Sequence, residues 1–298
     1  MKRYDILIVG AGAAGMAAAI SAYDAGCRNI LLTDQRQAIG GILPQCIHRG
    51  FGLTTFGQEL TGPEYARRMA ARLLKTNIEV LLGTDIISIS IEKTAVLSSR
   101  GGLRQIAFDQ LILATGCREK TIGALPITGT RPAGIFTAGQ AQELINLRHQ
   151  DLGNDVLILG SGDLGMIMAR RFSLEGKRVI ALVEKETHYS GLSKNYNRCI
   201  KPYLIPLICS ATVTDISGRD RITGVTLTRL DTGKKEHIPC DTLVTAVGLI
   251  PNQELIDGLG TPDWLHLCGN CNRVHSVVDS AAAEASRIGA VAYEIIKR

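Results

Sequence analysis

The stretch "HLCGNCNRVH", His266 to His275, places Cys268 and Cys271 two residues apart with a histidine on either side. On spacing alone, four such ligands can close a zinc site. The Cys-x-x-Cys can instead be a redox dithiol, if a helix start or a cation holds one sulfur as thiolate. A third reading makes both thiols structural. Further upstream, Cys46 and His48 stand in "GGILPQCIHRG". A lone cysteine beside a redox cofactor can cycle through a sulfenic acid and reduce peroxide, or serve as a small buried hydrophobe. His48 is a general base or hydrogen-bonding group, or a loop histidine. Arg131 in "GTRPAG" pairs with a phosphate or carboxylate, or braces its own linker.

The elements that would position these residues follow one plan used twice. "YDILIVGAGAAGMAAAISAYDAG" is an apolar strand, Gly10, Gly12 and Gly15, then an Ala-rich helix. "NILLTD" follows as a strand ending at Asp34, 24 residues after Gly10. This is the layout of a dinucleotide-binding βαβ unit. Gly10 makes the turn, Gly12 leaves room for a pyrophosphate, and Gly15 lets helix and strand approach. The helix start offers free N–H groups to phosphate, and Asp34 can accept from a ribose diol. Expected contacts are Gly10, Gly12, Ala13, Ala14, Gly15, Asp34, Gln35 and Gly41.

"DVLILGSGDLGMIMARRFSLEGKRVIALVE" repeats the pattern with Gly160, Gly162 and Gly165, and Glu184 again stands 24 residues on. A second nucleotide site is expected there, formed by Gly160, Gly162, Asp163, Leu164, Gly165 and Glu184. The carboxylate favours a free 2′-hydroxyl, hence NADH over NADPH; Lys185 and Arg178 nearby pull the other way. "FDQLILATG" and "CDTLVTAVG" also correspond: Asp109 and Asp241 each lie seven residues before Gly116 and Gly248. Residues 78–108 and 205–240 each read as a small β-meander. Thr61 and Glu64, with Pro63, predict a capped helix start, and Ser276 with Asp279 predicts another. Residues 40–62 are expected to be loop.

Composition bounds the rest. The chain has 298 residues and is 45% hydrophobic, enough for one large domain or two ordinary ones. The net charge is +5 with no basic run of five or more, which does not support a nucleic-acid footprint. Ile6 to Tyr23 is uncharged over a length near that of a membrane span, but its glycines fit strand, turn and helix better, so no span is expected. A strand starts almost at the first residue and eight cysteines are dispersed. No leader peptide and a reducing, cytoplasmic setting are therefore expected.

The two fingerprints, the "ATG" at Ala114, Thr115 and Gly116, and "AVGLIPN" around Gly248 resemble the pyridine nucleotide-disulfide oxidoreductase superfamily, in its short, thioredoxin-reductase-like form. The resemblance implies an α/β fold with two Rossmann-like dinucleotide-binding domains of three ββα layers. An FAD domain, residues 1–118 and 247–298, would be split by an inserted NAD(P) domain, residues 119–246. "HLCGNC" then falls at the last FAD strand and its loop, so Gly269, Asn270 and His275 become candidate FAD neighbours. Asn270 stands where the superfamily usually has Asp, and a zinc cage there would destroy the flavin loop. Both customary dithiol positions lack a cysteine pair, leaving Cys46 alone in the first.

"GGILPQCIHRGFG", "ELTGPEYA", "GTRPAGIFTAGQAQ" and "LGSGDLGMIMARR" are similar to one branch, the FAD/NAD-binding subunits of opine oxidase and hydrogen cyanide synthase. That implies hydride transfer between NAD(H) and FAD, a small-molecule substrate or acceptor, and a companion dehydrogenase subunit. The chain is expected to form a homodimer or hetero-complex.

Overall fold

The computed structural model describes residues 1–298. The chain forms two compact units, Met1–Arg118 with Ile250–Arg298, and Glu119–Leu249. The return to the first unit falls at Ile250, where 247 was expected.

In the first unit the strands Glu79–Leu82, Ile30–Asp34, Lys2–Val9 and Gly102–Leu113 lie side by side and parallel. Leu265–Leu267 adds in parallel beyond the last of them. These strands are apolar on both faces because both are covered. Ile6 and Ile8 point into a core with Met16, Ala18, Tyr65 and Ala285 of the helices Ala13–Asp24, Gly62–Leu73 and Val278–Lys297. Leu7 and Val9, on the alternate face, pack with Leu97, Phe108 and Trp264. The hairpin Asp85–Ile89 and Thr94–Ser99 supplies that other layer, pairing antiparallel with residues 102–107 of the long strand. The outcome is three layers: helices, parallel sheet, meander. The first and last helices meet at small residues. A Cβ added to Gly289 would lie 2.1 Å from the Ala18 carbonyl oxygen.

The second unit repeats the layering. Its parallel sheet has the order Ile135–Thr137, Thr242–Thr245, Asp155–Leu159, Arg178–Val183, Leu207–Ile208. Val156 and Ile158 face the helices Ala138–Asn146 and Asp163–Leu174. Leu157 and Leu159 face Val213, Val225 and Leu227 of a separate meander sheet.

The two predicted capping boxes differ in outcome. Thr61 N donates to Glu64 Oε2 at 2.7 Å and Glu64 N to Thr61 Oγ1 at 3.4 Å, so the first forms. The second does not: the last helix is capped by Val277 without a side-chain bond. Asp279 instead accepts from Gly52 N (3.0 Å), Thr55 N (3.0 Å) and Thr55 Oγ1 (2.5 Å). A turn distant in sequence brings three donors to this carboxylate, and together they outcompete a local cap. That turn, Leu53–Phe56, and the paired strands Arg49–Phe51 and Leu60–Thr61 also give the expected loop 40–62 regular structure. No helix is long and apolar enough to cross a membrane.

Candidate functional site

The first fingerprint shows what each glycine is for. Gly10 sits at φ +106°, a left-handed turn, and a Cβ there would strike the Ala114 carbonyl oxygen at 2.4 Å. At Gly15 a Cβ would be 1.7 Å from the Gly10 oxygen, so helix and turn touch. Gly12 is different, because a Cβ there would meet no protein atom within 4 Å. Nothing in the polypeptide requires glycine at this position, and its bare face opens on a cavity of about 590 Å³. The helix that begins there has no side-chain cap and no acid in its first turn, so its end N–H groups are left for a ligand.

The cavity is lined by Gly10, Gly12, Ala13, Ala14, Asp34, Gln35 and Gly41 on the fingerprint side. Cys46, Ala114, Thr115, Gly116, Asn270 and His275 complete the expected residues along its wall. Gly15, Gly269 and His48 are not on the wall. Gly269 is structural in the same sense as Gly15, since its Cβ would sit 2.6 Å from that of Ala14. His48 Nδ1 bonds the Arg49 carbonyl oxygen at 3.1 Å, and its ring lies against Phe51. Asp34 holds the turn together: Oδ2 accepts from Ala11 N at 2.7 Å and Oδ1 from Arg36 N at 2.8 Å. Each oxygen keeps a lone pair for a further donor. The volume is of the size that encloses a cofactor-scale ligand, and the open glycine with its uncapped helix fits a dinucleotide.

The second fingerprint repeats the geometry. Gly160 has φ +105°, a Cβ on Gly165 would be 2.3 Å from the Gly160 oxygen, and Gly162 again faces nothing within 4 Å. Glu184 is buried and more heavily bonded than Asp34. Its Oε2 accepts from Ser161 N (3.0 Å), Ser161 Oγ (2.5 Å) and Ser190 Oγ (2.9 Å), and its Oε1 from Glu186 N (3.1 Å). Burial works to raise its pKa, but these bonds outweigh it and hold the carboxyl below the ordinary range. Asp163, in the helix's first turn, accepts from Leu192 N (2.8 Å) and Asn195 Nδ2 (2.7 Å). Leu164 packs on the helix-side core, and Gly248 O accepts from Lys120 N at 3.1 Å.

The cysteines and histidines of "HLCGNCNRVH" do not converge. Cys268 lies in the helix-side core and Cys271 in the meander-side core. Cys271 Sγ donates to the Leu113 carbonyl oxygen at 3.0 Å, His266 Nε2 bonds Gln110 Oε1 at 2.8 Å, and His275 Nε2 bonds Glu284 Oε2 at 2.7 Å. Burial raises both thiol pKa values, so neither is held as thiolate. Cys46 is likewise buried, and its thiol is pushed up to about 12 by desolvation. Arg131 braces its linker through the carbonyl oxygens of Ile127 (2.5 Å) and Thr130 (3.0 Å).

Sequence reasoning missed several wall residues, polar ones among them, and one residue behind the wall. Arg36 and Asn252 line the cavity. Glu284 stands behind His275 and is, with Asp279, one of two buried acids of "VDSAAAEASRIGAVAYEIIK". Its sequence signal was an acid among the alanines and the glycine of the helix's buried face, Ala281, Ala282, Ala285, Gly289 and Ala292.

Residues 4–263 match the pyridine nucleotide-disulphide oxidoreductase family, and the chain belongs to it. It is an FAD/NAD(P)H-dependent oxidoreductase family of Rossmann-type α/β fold. Thioredoxin reductase of T. acidophilum superposes with a TM-score of 0.80 at 21% identity, covering 100% of both chains. One subunit of the opine oxidase of Rhizobium meliloti is 25% identical over 86% of this chain and 52% of its own length. The HcnB subunit of the hydrogen cyanide synthase of Pseudomonas aeruginosa is 27% identical over 85% of this chain and 59% of its own. The chain thus spans between half and three fifths of these two relatives.

Proposed function

We propose that the first unit binds FAD, the second binds NADH in preference to NADPH, and the chain passes hydride between the two rings. The observation that carries this is Gly12, a glycine the polypeptide does not need, opening on a cavity whose wall holds Asp34 and an uncapped helix start. In this reading the N–H groups of Ala13 and Ala14 take the pyrophosphate, and Asp34 takes the adenosine ribose. Thr115, Gly116, Asn270 and the start of the last helix at Val277 and Val278 hold the flavin half. FAD, when bound, supplies a two-electron acceptor for hydride; the protein's contribution is to hold, orient and tune it. In the second unit Gly162 gives the pyrophosphate its approach. Glu184 Oε1, which accepts from Glu186 N, keeps capacity for a ribose hydroxyl.

No customary cysteine pair accompanies this site, and Cys46 is assigned to the cavity wall. A nucleophilic thiolate there would work against the burial that pushes its pKa to about 12. The electron partner is proposed to be a companion dehydrogenase subunit or a small-molecule acceptor, of amine or opine type. Two of the similar proteins are themselves named as subunits. Eight cysteines, none of them in a disulfide, support a reducing, cytoplasmic setting, and a homodimer or hetero-complex completes the proposal.

An anaerobic absorbance titration of the purified protein with NADH and then NADPH tests this. Bleaching of a bound flavin by NADH at lower concentration than by NADPH is expected. Protein purified without flavin, and unable to take it up, would overturn the assignment of the first unit. A bound flavin that neither nucleotide reduces would overturn that of the second.

A further inference from the structure

His275 on the cavity wall is backed by a polar cluster that hydride transfer itself does not use. Glu284, 8% exposed, gathers three donors of the turn that follows the last strand: Gly269 N at 3.0 Å, Asn272 Nδ2 at 2.9 Å and His275 Nε2 at 2.7 Å. His275 is fixed a second time through its backbone N, which donates to Asn270 Oδ1 at 2.9 Å. Its side chain is 6% exposed and it lines the cavity. Burial works to raise the Glu284 pKa, but the bonds from His275, Asn272 and Gly269 outweigh it and keep the carboxylate ionised. An ionised carboxylate requires Nε2 to carry a hydrogen. In the neutral ring Nδ1 is then the bare nitrogen, and no protein group bonds it.

The surrounding charges do not compete for that nitrogen. Arg273 lies 3.7 Å from Glu284 with its side chain largely in solvent. Asp279, earlier on the same helix, is spent on Gly52 and Thr55. Of the two cavity thiols, Cys117 is met by Asn270 Nδ2 at 3.6 Å, and Cys46 bonds the Ile42 carbonyl oxygen at 3.5 Å.

We propose that His275 is a proton-carrying residue of the cavity and that Glu284 is its positioning residue. When the ring system in the cavity gains negative charge by accepting a hydride, Nδ1 takes one proton from solvent and forms an N–H bond. When that charge leaves, the N–H bond breaks and the proton returns to solvent. No electron passes through the imidazole. Glu284 fixes the tautomer and stabilises the protonated ring. The inference rests on the assignment of FAD to this cavity.

The test measures the midpoint potential of the bound flavin against pH, beside the NMR titration of 15N-labelled histidine, in the wild type, Glu284→Gln and His275→Asn. In the wild type the potential line should change slope where His275 titrates, and His275 should titrate at higher pH in reduced than in oxidised protein. Glu284→Gln should move both features to lower pH together, and His275→Asn should remove the break. Identical lines in all three flavin-loaded proteins would overturn the proposal. If either variant fails to fold, the wild type decides alone: a His275 titration unchanged between oxidised and reduced protein overturns it. Wild-type protein that takes up no flavin overturns the FAD assignment instead, and this proposal with it.

Discussion

The two halves of this molecule share a plan and differ in how the meander joins the sheet. In the first unit a single strand, Gly102–Leu113, does both jobs: residues 102–107 pair with the hairpin and residues 106–113 with the first strand. In the second unit the meander ends at Pro239, and Thr242–Thr245 begins a separate strand in another sheet. Proline cannot continue a ladder as donor, and Asp241 consolidates the break by accepting from Asn154 N and Asp155 N, each at 3.0 Å through Oδ1. The counterpart Asp109 stays within its strand and pairs with Arg3. Equivalent positions in a repeat therefore keep their place while taking up different work. The fingerprints diverge in the same manner, since Asp34 accepts two hydrogen bonds and Glu184 four.

The sharpest way to separate the halves is to fill each open glycine. Gly12→Val should leave the fold intact, because the new side chain begins in open space, and abolish flavin binding. Circular dichroism with flavin absorbance reads both. Gly162→Val should retain flavin and slow its reduction by NADH on the order of 100-fold or more, the scale of a lost approach geometry, in anaerobic stopped flow. Gly12→Val protein that still holds flavin would break the comparison.

A smaller effect concerns acid stability. The folded pKa of Glu184 lies below its ordinary value of 4.5. Its contribution is therefore present above that pH and is lost as pH falls through the folded value. Glu184→Gln should flatten the fall of melting temperature below about pH 4.5 and destabilise the protein at pH 7 by roughly 1–3 kcal/mol through its stranded donors. An unchanged acid limb in the variant would remove the energetic difference between the two acids.

The smallest effect is expected at the cysteines. Cys268→Ala and Cys271→Ala should each cost on the order of 1 kcal/mol by loss of packing, with flavin content and NADH reduction retained. Loss of reduction in either, at unchanged flavin content, would restore a redox role to the pair.

Much of this was legible in the chain because it is local. The glycine spacings, the apolar strands, the acids 24 residues on and the Thr61–Glu64 box depend on neighbours within a βαβ unit or a helical turn. The same physics holds wherever such a segment is placed. What tertiary structure alone decided are the partners that arrive from far along the chain. Asp279 was claimed by Gly52 and Thr55 rather than by its own helix end. Cys268 and Cys271 were sent to opposite faces of a sheet, a separation that their spacing cannot show. Glu284 became the anchor of His275 because the last helix, whose Val278 and Ala281 line the cavity, carries it against that side chain. A buried carboxylate is satisfied by whatever donors the packed fold delivers, and local sequence does not specify which those will be.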